Sequence, residues 1–135
     1  MLGFGFEPED PRTREPEDPS TQDVTINEER EHGVVVVSPA GRVDSTTSSN
    51  LDQYLAGLGA AGESRIVVDF AGVDYISSAG LRVMLSLAKR TKDLKGHVAL
   101  FALSDSVRQV FELAGFLPLF AVTASREDAV RRVRV

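Results

Sequence analysis

Residues 75–85, YISSAGLRVML, place Ser77, Ser78 and Gly80 where a strand gives way to a helix. Paired hydroxyls at such a junction suit three kinds of chemistry: capping the helix, attacking a substrate, or accepting a modifying group such as phosphate. Attack is the poorest fit. A hydrolase elbow needs G-x-S-x-G, and Ile76 stands where the first glycine belongs. It also needs a histidine base, and His32 and His97 are the only histidines. The first falls in an expected hairpin turn and the second opens an expected strand at the opposite edge, so no triad is assembled. No lysine follows a glycine in the pattern of a phosphate-binding loop.

Two further places carry chemical groups. Asp69 and Asp74 flank the turn that leads to the serines, and a small enzyme using either acid is one reading of this region. GLGAAG at 57–62 has the spacing G-x-G-x-x-G. A dinucleotide site requires that motif to follow a strand and open a helix, whereas here it ends a helix and precedes a strand. A helix-to-strand connection is the better reading.

The elements that must position the serines follow from periodicity. Val24 and Ile26 alternate with polar neighbours, Glu28–Gly33 reads as a turn, and Val34–Val37 is a β-branched run that Pro39 ends. After the short A-G-R-V piece, Asp44 or Ser45 can cap a helix running to about Leu58, with Leu51, Tyr54, Leu55 and Leu58 on its apolar face. RIVVDF is a buried strand and AGVDYI a loop. Ser78–Asp93 then forms a helix with Leu81, Met84, Leu85 and Ala88 in one stripe, closed by Gly96 before the strand HVALFA.

Ser104 or Asp105 caps the next helix, which carries Val107, Val110, Phe111 and Ala114 and ends on Gly115. LFAV is a last short strand, and Ser125 starts a closing helix over Arg126–Val133. Short strand–helix–strand connections imply parallel pairing. The predicted fold is therefore α/β: a mixed, mostly parallel sheet with helices packed against it and an antiparallel hairpin at its N-terminal end. In open sheets of this kind the strands' carboxyl ends are where ligands bind, which is where residues 71–80 fall.

Composition narrows the function classes. A chain of 135 residues suits one folded domain, here residues 23–135. Residues 1–22 hold four of the six prolines and little that is apolar beyond Leu2, Phe4 and Phe6, so they read as a disordered acidic tail. The absence of cysteine excludes disulfides and thiolate chemistry, and two histidines make a metal site improbable. The net charge of −5 argues against nucleic acid as a partner. That charge is uneven, with ten acids and three bases in residues 1–31 against ten acids and twelve bases in the remainder. No apolar run approaches the roughly 20 residues of a membrane span, and the N-terminus lacks the pattern of a secretory signal, so a cytoplasmic protein without membrane insertion is expected.

The run IVVDFAGVDYISSAGLRVMLSLAKR resembles the central strand, loop and helix of STAS domains, most closely the bacterial anti-sigma factor antagonists. Upstream, SPAGRVDSTTSSNLDQYL is similar to that family's strand, turn and first helix. Downstream, VRQVFELAGFLPLFAVTASREDAV is similar to its last helices, with the L-x-G-[FL] step at Leu113–Phe116. The likeness runs from about Asp23 to the C-terminus.

The resemblance implies a STAS fold and a binding protein, with no catalytic residue and no cofactor or metal. Its partner would be an anti-sigma factor serine kinase of the histidine-kinase-like ATPase fold, with a serine phosphatase to reset the cycle. Carried over by position, the phosphorylated residue is Ser78. Many members have Asp-Ser-Ser-Gly or Asp-Ser-Thr-Gly where this chain has Ser77-Ser78-Ala79-Gly80, so Ser77 replaces the aspartate and is the alternative acceptor. Asp44, Asp74, Ser77, Ser78, Gly80 and Arg82 are the expected partner-binding residues. A regulatory or structural STAS subunit of a membrane transport complex, without phospho-switching, is the alternative function.

Overall fold

The computed structural model describes residues 24–134; the acidic tail expected over residues 1–22 lies outside them. The chain enters through a hairpin of β1 (Thr25–Glu31) and β2 (Val34–Val43), paired from Thr25 with Ala40 to Glu31 with Val34. The connecting turn is only His32-Gly33, both at positive φ (54° and 78°), as a two-residue hairpin requires. The wide turn expected over Glu28–Gly33 is thus mostly strand. Its charged residues, Glu28, Glu29, Arg30 and Glu31, fit an edge strand, where charged side chains deter pairing with other chains.

β2 is the spine of the sheet. Val34–Val37 are all buried because both faces of this strand are covered. Contrary to expectation, Pro39 does not end it. Val35–Val37 pair in parallel with β3 (Arg65–Asp69), and Ala40–Val43 pair in parallel with β4 (Gly72–Ile76). Pro39 falls between the two ladders, where its missing N–H is not needed by either. β4 itself corrects the loop reading of residues 71–76: a Gly-Val-Asp-Tyr-Ile stretch makes a strand because β2 runs past the end of β3 and offers it an open ladder.

Helix α1 spans Ser48–Ala60. It begins later than the expected cap at Asp44 or Ser45, because residues 44–47 form a turn of their own. Gly57 and Gly59 lie inside α1, Ala61 caps it, and Gly62 (φ 86°) turns the chain into β3. The GLGAAG motif therefore has no strand before it and no helix after it.

Helix α2 occupies Ser78–Asp93, as the pattern predicts. Its buried face carries Leu81, Val83, Met84 and Leu87, whereas Leu85 and Ala88 from the expected stripe are half-buried. Strand β5 (His97–Phe101) follows and pairs in parallel with β3. Helix α3 (Asp105–Leu113) has Ser104 as its cap, with the Val107 amide donating to Ser104 Oγ at 3.2 Å. Ala114 lies beyond it and is exposed. A single 3-10 turn, Leu117–Leu119, leads to β6 (Ala121–Thr123), slightly later than the expected LFAV strand. Helix α4 fills Arg126–Val133 behind a Ser125 cap.

The strand order is β1-β2-β3-β5-β6, with β4 beside the outer half of β2. Alternation along β2 splits the core in two. Val35 and Val37 face the larger cluster, with Leu51 and Leu55 of α1, Met84 and Leu87 of α2, and Phe111 of α3. Val34 and Val36 face a smaller one, closed by Ala129, Val130 and Val133 of α4. Phe111 stands edge-on to both Phe70 and Phe120, at 5.7 and 5.8 Å between ring centres.

Candidate functional site

The site is built where β2 and β4 end side by side. Val43 pairs with Ile76, so the next residues of each strand, Asp44 and Ser77, emerge together. The Ser77 amide donates to the Val43 carbonyl at 2.8 Å, which fixes the start of α2 to the end of β2. Gly80 is buried against the same strand. A Cβ there would meet Ile76 Cγ1 at 2.7 Å and Val43 Cγ1 at 2.8 Å, so only glycine permits this approach.

The two serines have different jobs in this geometry. Ser77 is the N-cap of α2, with extended backbone and its Oγ accepting from the Gly80 amide at 3.3 Å; it is half-buried. Ser78 is the first helical residue and is exposed. The first turn of α2 holds no acid, so no carboxylate of the helix itself offsets the partial positive charge of its N-terminus. A hydroxyl set in such a place can take a dianionic group without meeting a negative neighbour on its own helix.

Asp44 organises the adjacent turn. Its Oδ1 accepts from Thr46 Oγ1 at 2.7 Å, from the Thr46 amide at 2.9 Å and from the Thr47 amide at 3.1 Å. These bonds hold its carboxyl below the usual aspartate value, the Thr46 hydroxyl most of all. The buried Thr47 hydroxyl donates to the Arg42 carbonyl at 2.6 Å and accepts from the Asp44 amide at 3.0 Å. The turn is thereby tied to the end of β2.

Two neighbours complete the surface. The Arg42 guanidinium lies 4.2 Å above the centre of the Tyr75 ring, and its Nε is 3.8 Å from Asp44 Oδ2. Neither Arg42 nor Tyr75 was among the residues singled out from sequence. The signal was available only in part: Arg42 stands two before Asp44 and Tyr75 two before Ser77, but their meeting depends on a β4 that the sequence read as loop. Asp74 is exposed where the β2–β4 register slips, since Gly41 pairs with Val73 but Arg42 with Tyr75. Arg82, four residues after Ser78 and so on the same side of α2, is also exposed.

Asp44, Ser77, Ser78 and Gly80 are thus brought into one place, with Asp74 and Arg82 at its margins. Asp69 is elsewhere engaged, accepting from Ser38 Oγ at 3.2 Å and from the Ala71 amide at 2.9 Å. His97 opens β5 beside Arg65, at the other end of the strands, and His32 sits in the hairpin turn. No group of three His, Cys, Asp or Glu residues among those described is placed to hold a metal. No helix among the described residues is long and apolar enough to cross a membrane.

Fold and site together define a small α/β module that presents a hydroxyl-bearing helix start at the carboxyl end of its sheet. The model of the STAS domain matches residues 25–129, and the chain belongs to that family. It is 43% identical over 97 residues to BtrV of Bordetella bronchiseptica, named as a candidate anti-sigma factor antagonist, covering 72% of this chain and 84% of the relative. An anti-sigma factor antagonist from Mycobacterium paratuberculosis superposes with a TM-score of 0.76 at 26% identity, covering 83% of this chain and 95% of that one. The Bacillus cell fate determinant SpoIIAA, solved in its phosphorylated form, matches with a TM-score of 0.64 at 21% identity, over 80% of this chain and 98% of that one.

Proposed function

We propose that this protein is an anti-sigma factor antagonist that works by partner switching. Unmodified, it binds an anti-sigma factor serine kinase and so frees a sigma factor; phosphorylated on Ser78, it releases the kinase. The observation that carries the reading is the division of labour between the serines. Ser77 is held as a cap, while Ser78 is exposed at the mouth of α2. The names of the relatives support the antagonist role, and SpoIIAA, which shares the fold, exists in a phosphorylated form.

Magnitudes favour a switch of binding over a switch of fold. A phosphate carries about −1.5 to −2 charges, and a helix N-terminus favours a negative charge by about 0.3–1 kcal/mol. The domain itself should therefore tolerate the group. The same charge brought within about 4 Å of a partner carboxylate costs on the order of 4 kcal/mol at an effective dielectric of about 20, roughly a thousandfold in affinity. Repulsion at the interface outweighs the gain at home. Asp44, Asp74 and Arg82 would contribute to the contact surface around the serine, and the Arg42–Tyr75 stack extends it.

Peptide-resolved mass spectrometry of the protein from its own cells, stressed and unstressed, tests this. Phosphate on Ser78 that changes with condition is expected. Phosphate confined to Ser77 would overturn the residue assignment, and none under any condition would return the protein to the alternative of a structural subunit in a membrane transport complex. Once the kinase is in hand, Ser78→Ala should bind it constitutively and Ser78→Asp weakly, both melting within a few degrees of the parent. Equal binding by Ser78→Asp would sink the charge mechanism.

A further inference from the structure

We infer that the groove at the far end of α2 is the docking site for the chain's own residues 2–10, LGFGFEPED. The groove, of about 770 Å³, lies between the last turns of α2, the start of β5 and the end of α4. Its floor is apolar, from Leu85, Ala88, Val98, Phe120 and Ala121. Its rim is basic, from Lys89, Lys92, Lys95 and Arg132, and no acid is among the described residues lining it. β6 pairs only with Ala99–Phe101, so among the described strands none lies outside His97 and Val98, and the groove follows that open edge of the sheet.

Residues 2–10 match it in both respects. Leu2, Phe4 and Phe6 are spaced two apart, which puts all three on one side of an extended segment. Glu7, Glu9 and Asp10 follow at once, and no base occurs before Arg12. Apolar side chains can fill the floor while the acids meet the lysine rim, an arrangement in which each half of the segment has its counterpart.

Reach is sufficient. Val24, where the described residues begin, is at the end of β1 away from the groove, since Thr25 pairs with Ala40 while Val98 is aligned with Ile66 and Val35. Five residues along a strand and three strands across the sheet are about 17 Å and 14 Å. Residues 11–23 span up to about 45 Å when extended, which leaves room to pass around the edge of the molecule. Tethering makes the encounter intramolecular, so even a modest interface is well populated. The docked segment would lie about 10–20 Å along α2 from Ser78, from Leu85 to Lys92 at about 1.5 Å per residue, and leave the switch surface open.

The chain has no cysteine, so Gly5→Cys gives a unique thiol for a nitroxide label, on the side of the segment away from the phenylalanines. In the full chain, the label should cost amide signal intensity at Lys92–Val98 and Phe120–Ala121 and spare Asp44–Thr47 and Ser77–Gly80. Intensity should return in Phe4→Ser/Phe6→Ser and in Lys89→Glu/Lys92→Glu; both lysines are exposed, so the fold is expected to persist, with unchanged spectra elsewhere as the check. Even losses over the whole surface, or losses that neither double variant relieves, would overturn the assignment. So would losses in a mixture of labelled and isotope-enriched molecules as large as within one molecule, which would make a second copy the occupant.

Discussion

Asp44 illustrates how a residue can read as one structural device in the sequence and serve as another in the fold. An acid before a serine- and threonine-rich run reads as a helix cap, yet α1 starts only at Ser48 and Thr47 occupies its cap position, its hydroxyl bonded back to the end of β2 and not to the helix. What Asp44 does is close the preceding turn through Thr46 and Thr47, and the depressed carboxyl is a consequence. A group whose folded value lies below its unfolded one adds stability above the unfolded value, about 3.9 for aspartate, and loses it as pH falls through the folded value. Urea unfolding at a series of pH values should therefore show Asp44→Asn less stable than the parent near neutrality, with the gap closing below about pH 4. A gap that persists undiminished in acid would mean that the turn depends on shape and not on charge. The serines were legible by type and spacing, but the assignment of cap to Ser77 and exposure to Ser78 required the backbone of the strand end to be seen.

At the scale of elements, what could be read from sequence were those with their own signal. Helix α2, the Ser104 and Ser125 caps and the valine-rich strands each carry a local pattern that the tertiary structure has no cause to override. β4 was not legible because its stability is borrowed: Val73, Tyr75 and Ile76 favour a strand, but Gly72 and Asp74 interrupt them in so short a stretch, and the overhanging half of β2 supplies the ladder that makes it one. Glycines mark the same contrast. Gly57 lies inside α1 with open space where a Cβ would go, so Gly57→Ala should raise stability by about 0.5–1 kcal/mol through helix propensity alone. Gly80→Ala inserts the same methyl between Val43 and Ile76 and should cost about 1–3 kcal/mol. It should also shift the Ser77 and Ser78 amide signals, because α2 must back away from β2. Paired denaturation curves decide the matter: if both alanines raise the midpoint, the close approach at Gly80 is not what sets the position of the switch.

For the molecule as a whole, the mixed sheet and, β4 apart, the order of its elements followed from the sequence, but the inequality of the two faces did not. A continuous run such as Val34–Val37 says that both sides are covered without saying by what. Among the described residues, three helices close one side and α4 closes the other, with Ala129, Val130 and Val133 set on Val34, Val36, Val67 and Ala99. Arg126 ties the start of α4 to Glu29 and Glu31 of β1, but these groups are a third or more exposed, and such pairs contribute about 0–1 kcal/mol. Three small apolar side chains and a surface ion pair are a light anchor compared with the Leu51, Met84 and Phe111 side of the core. A segment so held opens on its own before the rest unfolds. Native-state hydrogen exchange should accordingly show the α4 amides, Ala129 among them, exchanging through an opening of lower free energy and weaker denaturant dependence than Val36 and Val67. Were the α4 amides to join the same isotherm as β2 and β3 at every denaturant concentration, the thin layer would be an integral part of one cooperative unit, and burial on the Val34 face would be worth more than its side-chain sizes imply.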